Sequence, residues 1–507
     1  MKRKQIVMAV LTGAAVLSGC GQQETEIKET ETSQTQSADP FVPEIVGTYE
    51  AEDAQLKGNV SIGSSREGYS GSGYATGFSD DSDACAFSIN ISEDGFYDLG
   101  LATAASDYKE NYVSVDGESV GTITSDDTEF TTTYLTRVYL TQGTHEVEVS
   151  KYWGWIDLDY LVVQTSEPLD ASIYDVPAEL VNKNATENTK RLMSYLADNY
   201  GTNILSGQYS PDGMYGKEYT VVKNATGKTP AILGLDFIEY SPSRVANGSS
   251  SNATDLAIAY WNAGGIVTFC WHWNAPEKYL TGEWYSGFRA EQTNIDLAKI
   301  MNGEDQEGYD LLMDDIDAIA KQLQILQDAG VPVLWRPLHE ASGGWFWWGA
   351  SGPEAYKQLY ILLYDKLTNE YGLNNLIWLW NGQDADWYPG DEYVDIIGED
   401  IYPGEHVYTS QINKYLEAVN YTTAKKMVVL SENGCVFDPE LAKRDGAMWG
   451  FWCTWGSEFV AKNTSIYSYS DQYTEEDKLK EFYNNDIVIT KDDIPDLTTY
   501  PIREELQ

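Results

Sequence analysis

Eight short apolar runs, spread over the last two-thirds of the chain, constrain its fold more than any other feature. They are N-I-L-S-G-Q-Y near 205, A-I-L-G-L-D-F near 234, G-I-V-T-F-C-W-H-W near 269, V-L-W-R-P-L-H-E near 336, L-I-W-L-W-N near 378, V-D-I-I-G-E-D-I-Y near 398, M-V-V-L-S-E-N near 430 and W-G-F-W-C-T-W near 452. Each is almost continuously apolar, which marks strands buried on both faces, as in parallel sheets. Amphipathic stretches lie between them. Leu312, Ile316, Ile319, Leu323 and Leu326 recur at helical spacing, and Gly330 is placed to end that helix. Leu359, Leu363 and Leu367 repeat in the same way. Eight such units predict an α/β chain whose main domain is a (β/α)₈ barrel over residues 175–495, with 496–507 left as a C-terminal tail.

Upstream the pattern changes. Residues 47–166 carry short alternating segments such as A-F-S-I-N-I, Y-V-S-V and H-E-V-E-V, separated by Gly, Asp and Ser. No helical stretch interrupts them, so this region is expected to be an all-β sandwich of jelly-roll type. Before it, residues 20–46 are polar and poor in aliphatic side chains, the composition of a flexible linker. Residues 1–19 have the form of a secretory signal: Lys2, Arg3 and Lys4, then an apolar run, then Leu17-Ser18-Gly19-Cys20. That ending resembles a bacterial lipobox, which implies lipidation of Cys20 and an anchor on the outer face of a membrane; an ordinary secreted protein is the alternative. No later segment holds the roughly 18 uninterrupted apolar residues needed to span.

The balance of 33 Lys+Arg against 79 Asp+Glu gives a formal net charge of −46. Such a chain repels nucleic acid and anionic lipid, and suits a neutral partner. Sixteen Trp and 36 Tyr supply aromatic faces able to stack on the C–H faces of sugars. Cys85, Cys270, Cys435 and Cys453 form no Cys-x-x-Cys pair, which leaves neither a zinc knuckle nor a redox motif; Cys270, Cys435 and Cys453, in or beside the barrel runs, are expected to be buried small side chains, with a disulfide as the alternative.

Carboxyl groups at the C-terminal tips of barrel strands are where this fold places catalytic groups. Glu340 ends the fourth run and Glu432 lies just past the apolar core of the seventh, so the two would face one another across the mouth. Cleavage of a glycosidic bond needs one carboxylic acid and one carboxylate, held in environments that push their pKa values apart. Arg336 lies four residues before Glu340 on the fourth strand, so both are expected to point to the same inward face, where its guanidinium would keep Glu432 ionised. His272 and His339 also fall at strand tips. Asp236, Glu239, Glu399 and Asp400 lie at tips too, and on pattern alone any of them could replace either glutamate. Trp345, Trp347 and Trp348 sit in a Gly-rich loop, where sugar stacking is expected; Trp378 is expected in the core, and Trp452 and Trp455 are equally placed for either.

Arg336-Pro337-Leu338-His339-Glu340, Gly343-Gly344-Trp345-Phe346-Trp347-Trp348-Gly349, Trp271-His272-Trp273-Asn274, Glu399-Asp400-Ile401-Tyr402-Pro403 and Ser431-Glu432-Asn433-Gly434 together resemble the signature of glycoside hydrolase family 26. The resemblance implies a retaining endo-β-1,4-mannanase acting on mannan, glucomannan or galactomannan, as a monomer and with no cofactor in the chemistry. It implies Glu340 as acid/base, Glu432 as nucleophile, His339 on the sugar or the nucleophile, Tyr402 bonded to the nucleophile and Trp345 stacked near the cleavage point. His272, Trp273, Arg336, Trp348 and Trp452 complete the expected substrate-binding set. Ala341-Ser342 replaces the Met-Asn pair expected in many mannanases, which bears on fine subsite detail. Other members of the family cleave β-1,3/1,4-glucan or β-1,3-xylan with the same carboxylates, and a non-catalytic sugar-binding lipoprotein is the rival from another class. In the sandwich, the opening Y-E-A-E-D-A, Y-S-G-S-G-Y-A-T-G-F and the closing G-W-I-D-L-D-Y-L-V-V resemble family 35 carbohydrate-binding modules. That resemblance implies a structural Ca²⁺ at Glu50, Glu52 and Asp157 or Asp159, and a sugar platform at Trp153 or Trp155, the other being core.

Overall fold

Alternation along its strands folds the N-terminal region into two facing antiparallel sheets. In the computed structural model, which describes residues 41–464 and 467–507, one sheet contains Ile45–Glu50, Ser61–Gly63, Tyr74–Thr76, Gly95–Ala104, Thr131–Leu140 and Asp157–Thr165, and the other Gln55–Lys57, Ala84–Ile91, Lys109–Val115, Glu118–Ser125 and Gly143–Trp153. Phe87, Ile89 and Ile91 point inward while Ser88 and Asn90 face water, and the core between the sheets gathers Leu99, Leu101, Val147, Val149 and Leu161. The sandwich begins at Ile45, slightly earlier than expected, because Ile45–Glu50 pairs with the closing strand. The expected signal segment 1–19, Cys20 and the linker up to residue 40 lie outside the described residues. No helix among the described residues is long and apolar enough to cross a membrane.

The eight apolar runs form one closed parallel barrel: β1 (Gly207–Tyr209), β2 (Ile232–Asp236), β3 (Ile266–Trp271), β4 (Val333–Pro337), β5 (Leu376–Trp380), β6 (Ile396–Ile401), β7 (Met427–Asn433) and β8 (Trp452–Thr454). Every residue of β3, β4, β5 and β7 is buried. Burial on both faces is the physical reason these runs show no alternation. The helix Gln306–Asp328 buries Leu312, Ile316, Ile319, Leu323 and Leu326 on one side, and Asp305 caps it by accepting from the Gly308 N–H. Gly330 takes φ +71°, and Val331 N–H returns to the Leu326 carbonyl to close the helix end.

The expected C-terminal tail is instead part of the barrel's outer layer. Tyr500 packs edge-on to Tyr195 at 5.2 Å, and Leu506 is buried in the barrel core. Cys85, Cys270, Cys435 and Cys453 are all free and buried, as small apolar side chains would be.

Candidate active site

Glu432 owes its position to an irregularity. Glu399 of β6 pairs with Leu430 of β7, but Asp400 pairs with Glu432, so Ser431 is the extra residue of a bulge. Bulges re-aim side chains, and here Glu432 and Asp400 both turn to the barrel axis. Between them lies Arg336 from β4, fully buried. Its Nη2 donates to Glu432 Oε2 and its Nη1 to Asp400 Oδ2, while further contacts run to Asn381 Oδ1 and Tyr209 Oη, each at 3.3 Å. The Tyr402 hydroxyl donates to the second oxygen of Glu432. Gly434 makes that approach feasible, since a Cβ there would lie 2.7 Å from the Tyr402 ring. Burial pushes the Glu432 carboxyl up, and Arg336 and Tyr402 pull it back. Asp400, which also accepts from Ser431 Oγ at 2.8 Å, is raised by burial to about 7 despite Arg336.

Glu340 is held differently. β4 ends at Pro337, so the expected strand geometry linking Arg336 to Glu340 does not apply: the chain turns through left-handed Leu338 (φ +54°) and Glu340 (φ +53°). Non-glycine residues in that region are uncommon and tend to occur at functional sites. The Glu340 N–H donates to the Asn381 carbonyl at 2.7 Å, which fixes the turn. Among the described residues its carboxyl accepts only from Trp345 Nε1, at 2.9 Å. Gly343 permits this, because a Cβ there would fall 2.0 Å from the Trp345 ring. Burial, then the charge of Glu432, push Glu340 above the usual carboxylate range. Single oxygens of Glu340, Asp400 and Glu432 all lie within 4.8 Å of one another. Arg336 supplies the positive charge that bridges Asp400 and Glu432.

A chain of imidazoles lines the next wall. His272 Nδ1 faces Asp236 Oδ2 at 2.7 Å, and the Nε2 atoms of His272 and His339 lie 3.2 Å apart. Burial lowers the His272 pKa, but Asp236 raises it further, for a net rise. Burial and the charges of Arg336 and His272 keep His339 neutral. His339 Nδ1 is buried and has no hydrogen-bond partner among the described residues.

Most of the expected tryptophan platforms are core instead. Trp273 stacks on Trp271 at 4.1 Å and donates to Asp315 behind the barrel wall at 2.7 Å. Trp347 donates to the Trp273 carbonyl. Trp348 donates to the His339 carbonyl at 2.9 Å, so it braces the histidine from below. Trp452 packs edge-on against Phe437 and Tyr483. All four are fully buried, so none can touch a sugar. Trp345, 49% exposed, is the tryptophan of that loop that faces solvent. Trp455 lies at the mouth, with its ring 4.8 Å from Tyr209 and 5.7 Å from His272. Trp378 is core, as expected. Asp400, Asp236, Asn381 and Tyr209 are the residues the sequence left unassigned; a strand-tip position was the available signal for the two aspartates.

In the sandwich, Trp153 and Trp155 are 65% and 51% exposed, so the expectation that one of them is core fails. Gly154, at φ +106°, turns the chain between them at the end of the strand Gly143–Trp153. Of the expected calcium ligands, Asp157 is engaged by Arg66 at 2.7 Å and by Thr76, which leaves Asp159. Glu50, Glu52 and Asp159 converge on the turn Ser70–Ser72 and accept from its N–H and hydroxyl groups. Glu52 Oε2 is buried without a hydrogen-bond partner among the described residues, which suits a hard cation.

Residues 181–493 match the model of glycosyl hydrolase family 26, and residues 47–166 that of the carbohydrate binding module (family 35). The chain is 40% identical to a mannan endo-1,4-beta-mannosidase of Thermothelomyces thermophilus over 88% of this chain and 90% of that protein. It is 35% identical to mannan endo-1,4-beta-mannosidase A of Piromyces sp over 88% and 72%. Among solved structures, the Podospora anserina GH26-CBM35 beta-(1,4)-mannanase aligns with TM-score 0.62 and 39% identity, covering 90% of this chain and 99% of that one.

Proposed function

This chain belongs to glycosyl hydrolase family 26, and on that premise we propose that it cleaves internal β-1,4-mannosidic bonds of mannans, with Glu432 as nucleophile and Glu340 as acid/base. The observation that carries the assignment is the asymmetry between two neighbouring carboxyls. Glu432 accepts from a cation, Arg336, and from Tyr402, whereas Glu340 has one neutral donor, Trp345. Their oxygens lie within 4.8 Å, which favours retention, because inverting pairs stand roughly 6.5–9.5 Å apart to admit a water.

Glu340 protonates the glycosidic oxygen as Glu432 attacks the anomeric carbon, and the C–O bond to the leaving chain breaks. Arg336 and Tyr402 hold the attacking oxygens. Glu340, now ionised, then removes a proton from water, which displaces Glu432 and restores both groups. The imidazole of His339, held neutral and braced by Trp348, positions His272 through the 3.2 Å contact between their Nε2 atoms. Trp345 offers a stacking face beside the acid.

Hydrolysis of linear mannan, glucomannan, lichenan and β-1,3-xylan, compared side by side, tests the substrate; failure on every mannan would refute the reading. We further propose that Glu50, Glu52 and Asp159 hold a structural calcium ion in the sandwich, and that Trp153 and Trp155 present its sugar face. The lipobox-like Leu17–Cys20 supports an anchor on the outer face of a bacterial membrane.

A further inference from the structure

The sandwich is locked to the barrel. Arg137, buried and in the left-handed region at φ +58°, donates through Nε and Nη2 to the Asp445 carbonyl, both at 3.2 Å. Its guanidinium also covers the Phe96 ring at 4.3 Å. Thr136 N–H donates to Asn413 Oδ1 at 2.7 Å, and Tyr174 donates to the Gly446 carbonyl at 2.6 Å.

Beside this seam runs an open crevice of about 570 Å³, within the roughly 300–1,000 Å³ of small-ligand sites. One wall is the sandwich edge made by Lys109–Val115, Glu118–Ser125 and Thr131–Leu140; the other is the barrel helix Ile412–Val419 with the loop after β6. Tyr402, which donates to Glu432, lines its barrel end. Tyr112 and Tyr152, with ring centroids 4.4 Å apart, line its sandwich end, and Tyr134 stands on the same wall. All four tyrosines are about two-fifths exposed. Between them the walls carry hydroxyl and amide groups of Thr122, Thr133, Gln411 and Asn420, together with Glu110 and the Lys414–Glu417 ion pair.

We infer that this crevice is a distal subsite for the β-1,4-mannan chain, continuous with the cleavage site and built jointly by sandwich and barrel. The inference rests on the mannanase reading above. Tyrosine faces with interleaved hydroxyl and amide groups suit a neutral polyhydroxylated chain, and Tyr402 belongs to both sites. Because Arg137 fixes the two domains, the second contact needs no ordering of a linker, and it raises the effective concentration of long chains at the cleft.

The test is the ratio of kcat/KM for β-1,4-mannodecaose to that for mannotetraose, measured on the full chain. The double variant Tyr112→Ala/Tyr152→Ala is expected to lower this ratio about tenfold, the size expected for two aromatic platforms. Tyr112→Phe/Tyr152→Phe, which keeps both rings, is expected to retain it within about twofold. A ratio unchanged by the double alanine variant overturns the inference. Absence of mannotetraose turnover by the unmodified chain would refute the mannanase reading itself.

Discussion

The Glu432 corner of the barrel mouth and the Glu340 corner hold the same side chain in opposite settings. Glu432 sits inside a strand, turned inward by the Ser431 bulge, and meets a guanidinium and a phenol. Glu340 sits past the end of its strand on a left-handed residue, and meets one indole N–H. Both are buried enough to be pushed above the usual carboxylate range. What separates them is the supply of donors, and that supply follows from local backbone geometry. One carboxyl is therefore equipped to carry negative charge and the other to carry a proton.

Removing either group tests the contrast most directly. Glu432→Ala is expected to lower kcat on mannan by more than about 10⁴-fold, since it removes the proposed nucleophile. Glu340→Gln is expected to lower it by about 10²–10⁴-fold, and by much less on aryl mannosides, whose leaving groups need no proton. Equal losses on both substrates would break the assignment of Glu340 as the acid.

Arg336→Met leaves Asp400 and Glu432 buried without their cation, and should destabilise the fold by about 3–5 kcal/mol, read from urea unfolding. Tyr402→Phe removes a hydrogen bond to a charged group, worth about 1.5–3 kcal/mol, so kcat/KM should fall about 10- to 100-fold. The same change should shift the acidic limb of the pH profile upward. The Tyr402 donor holds the Glu432 pKa down, so without it Glu432 stays protonated to higher pH. Trp345→Phe should have the smallest effect, a basic limb moved upward, because the lost indole donor also lowered the Glu340 pKa. A downward move of either limb would contradict the donor account.

The barrel was legible because strands buried on both faces must be apolar throughout, and helices around them must be amphipathic. Both glutamates were legible as strand-tip carboxyls, with the family motif selecting them over Asp236, Glu239, Glu399 and Asp400. The tryptophans were not. Trp345 and Trp348 stand three residues apart in one loop, yet one faces solvent and the other supports His339 from within. Indole serves core and cleft equally well, and loop sequence does not say which way a ring turns. Asp400 was passed over as a spare acid, although its pairing with Arg336 depends on the β6–β7 register, which no local signal encodes.

The sequence by itself determined the eight strands, the sandwich ahead of them and the chemical groups at the tips, because burial and periodicity are written residue by residue. The tertiary structure alone decided which groups meet. Arg336 joins Asp400 and Glu432 across the barrel axis, and Tyr402 comes to border both the cleavage site and the crevice under the sandwich. Those meetings depend on register, bulge and domain docking, which are properties of the closed barrel and the seam rather than of any one segment.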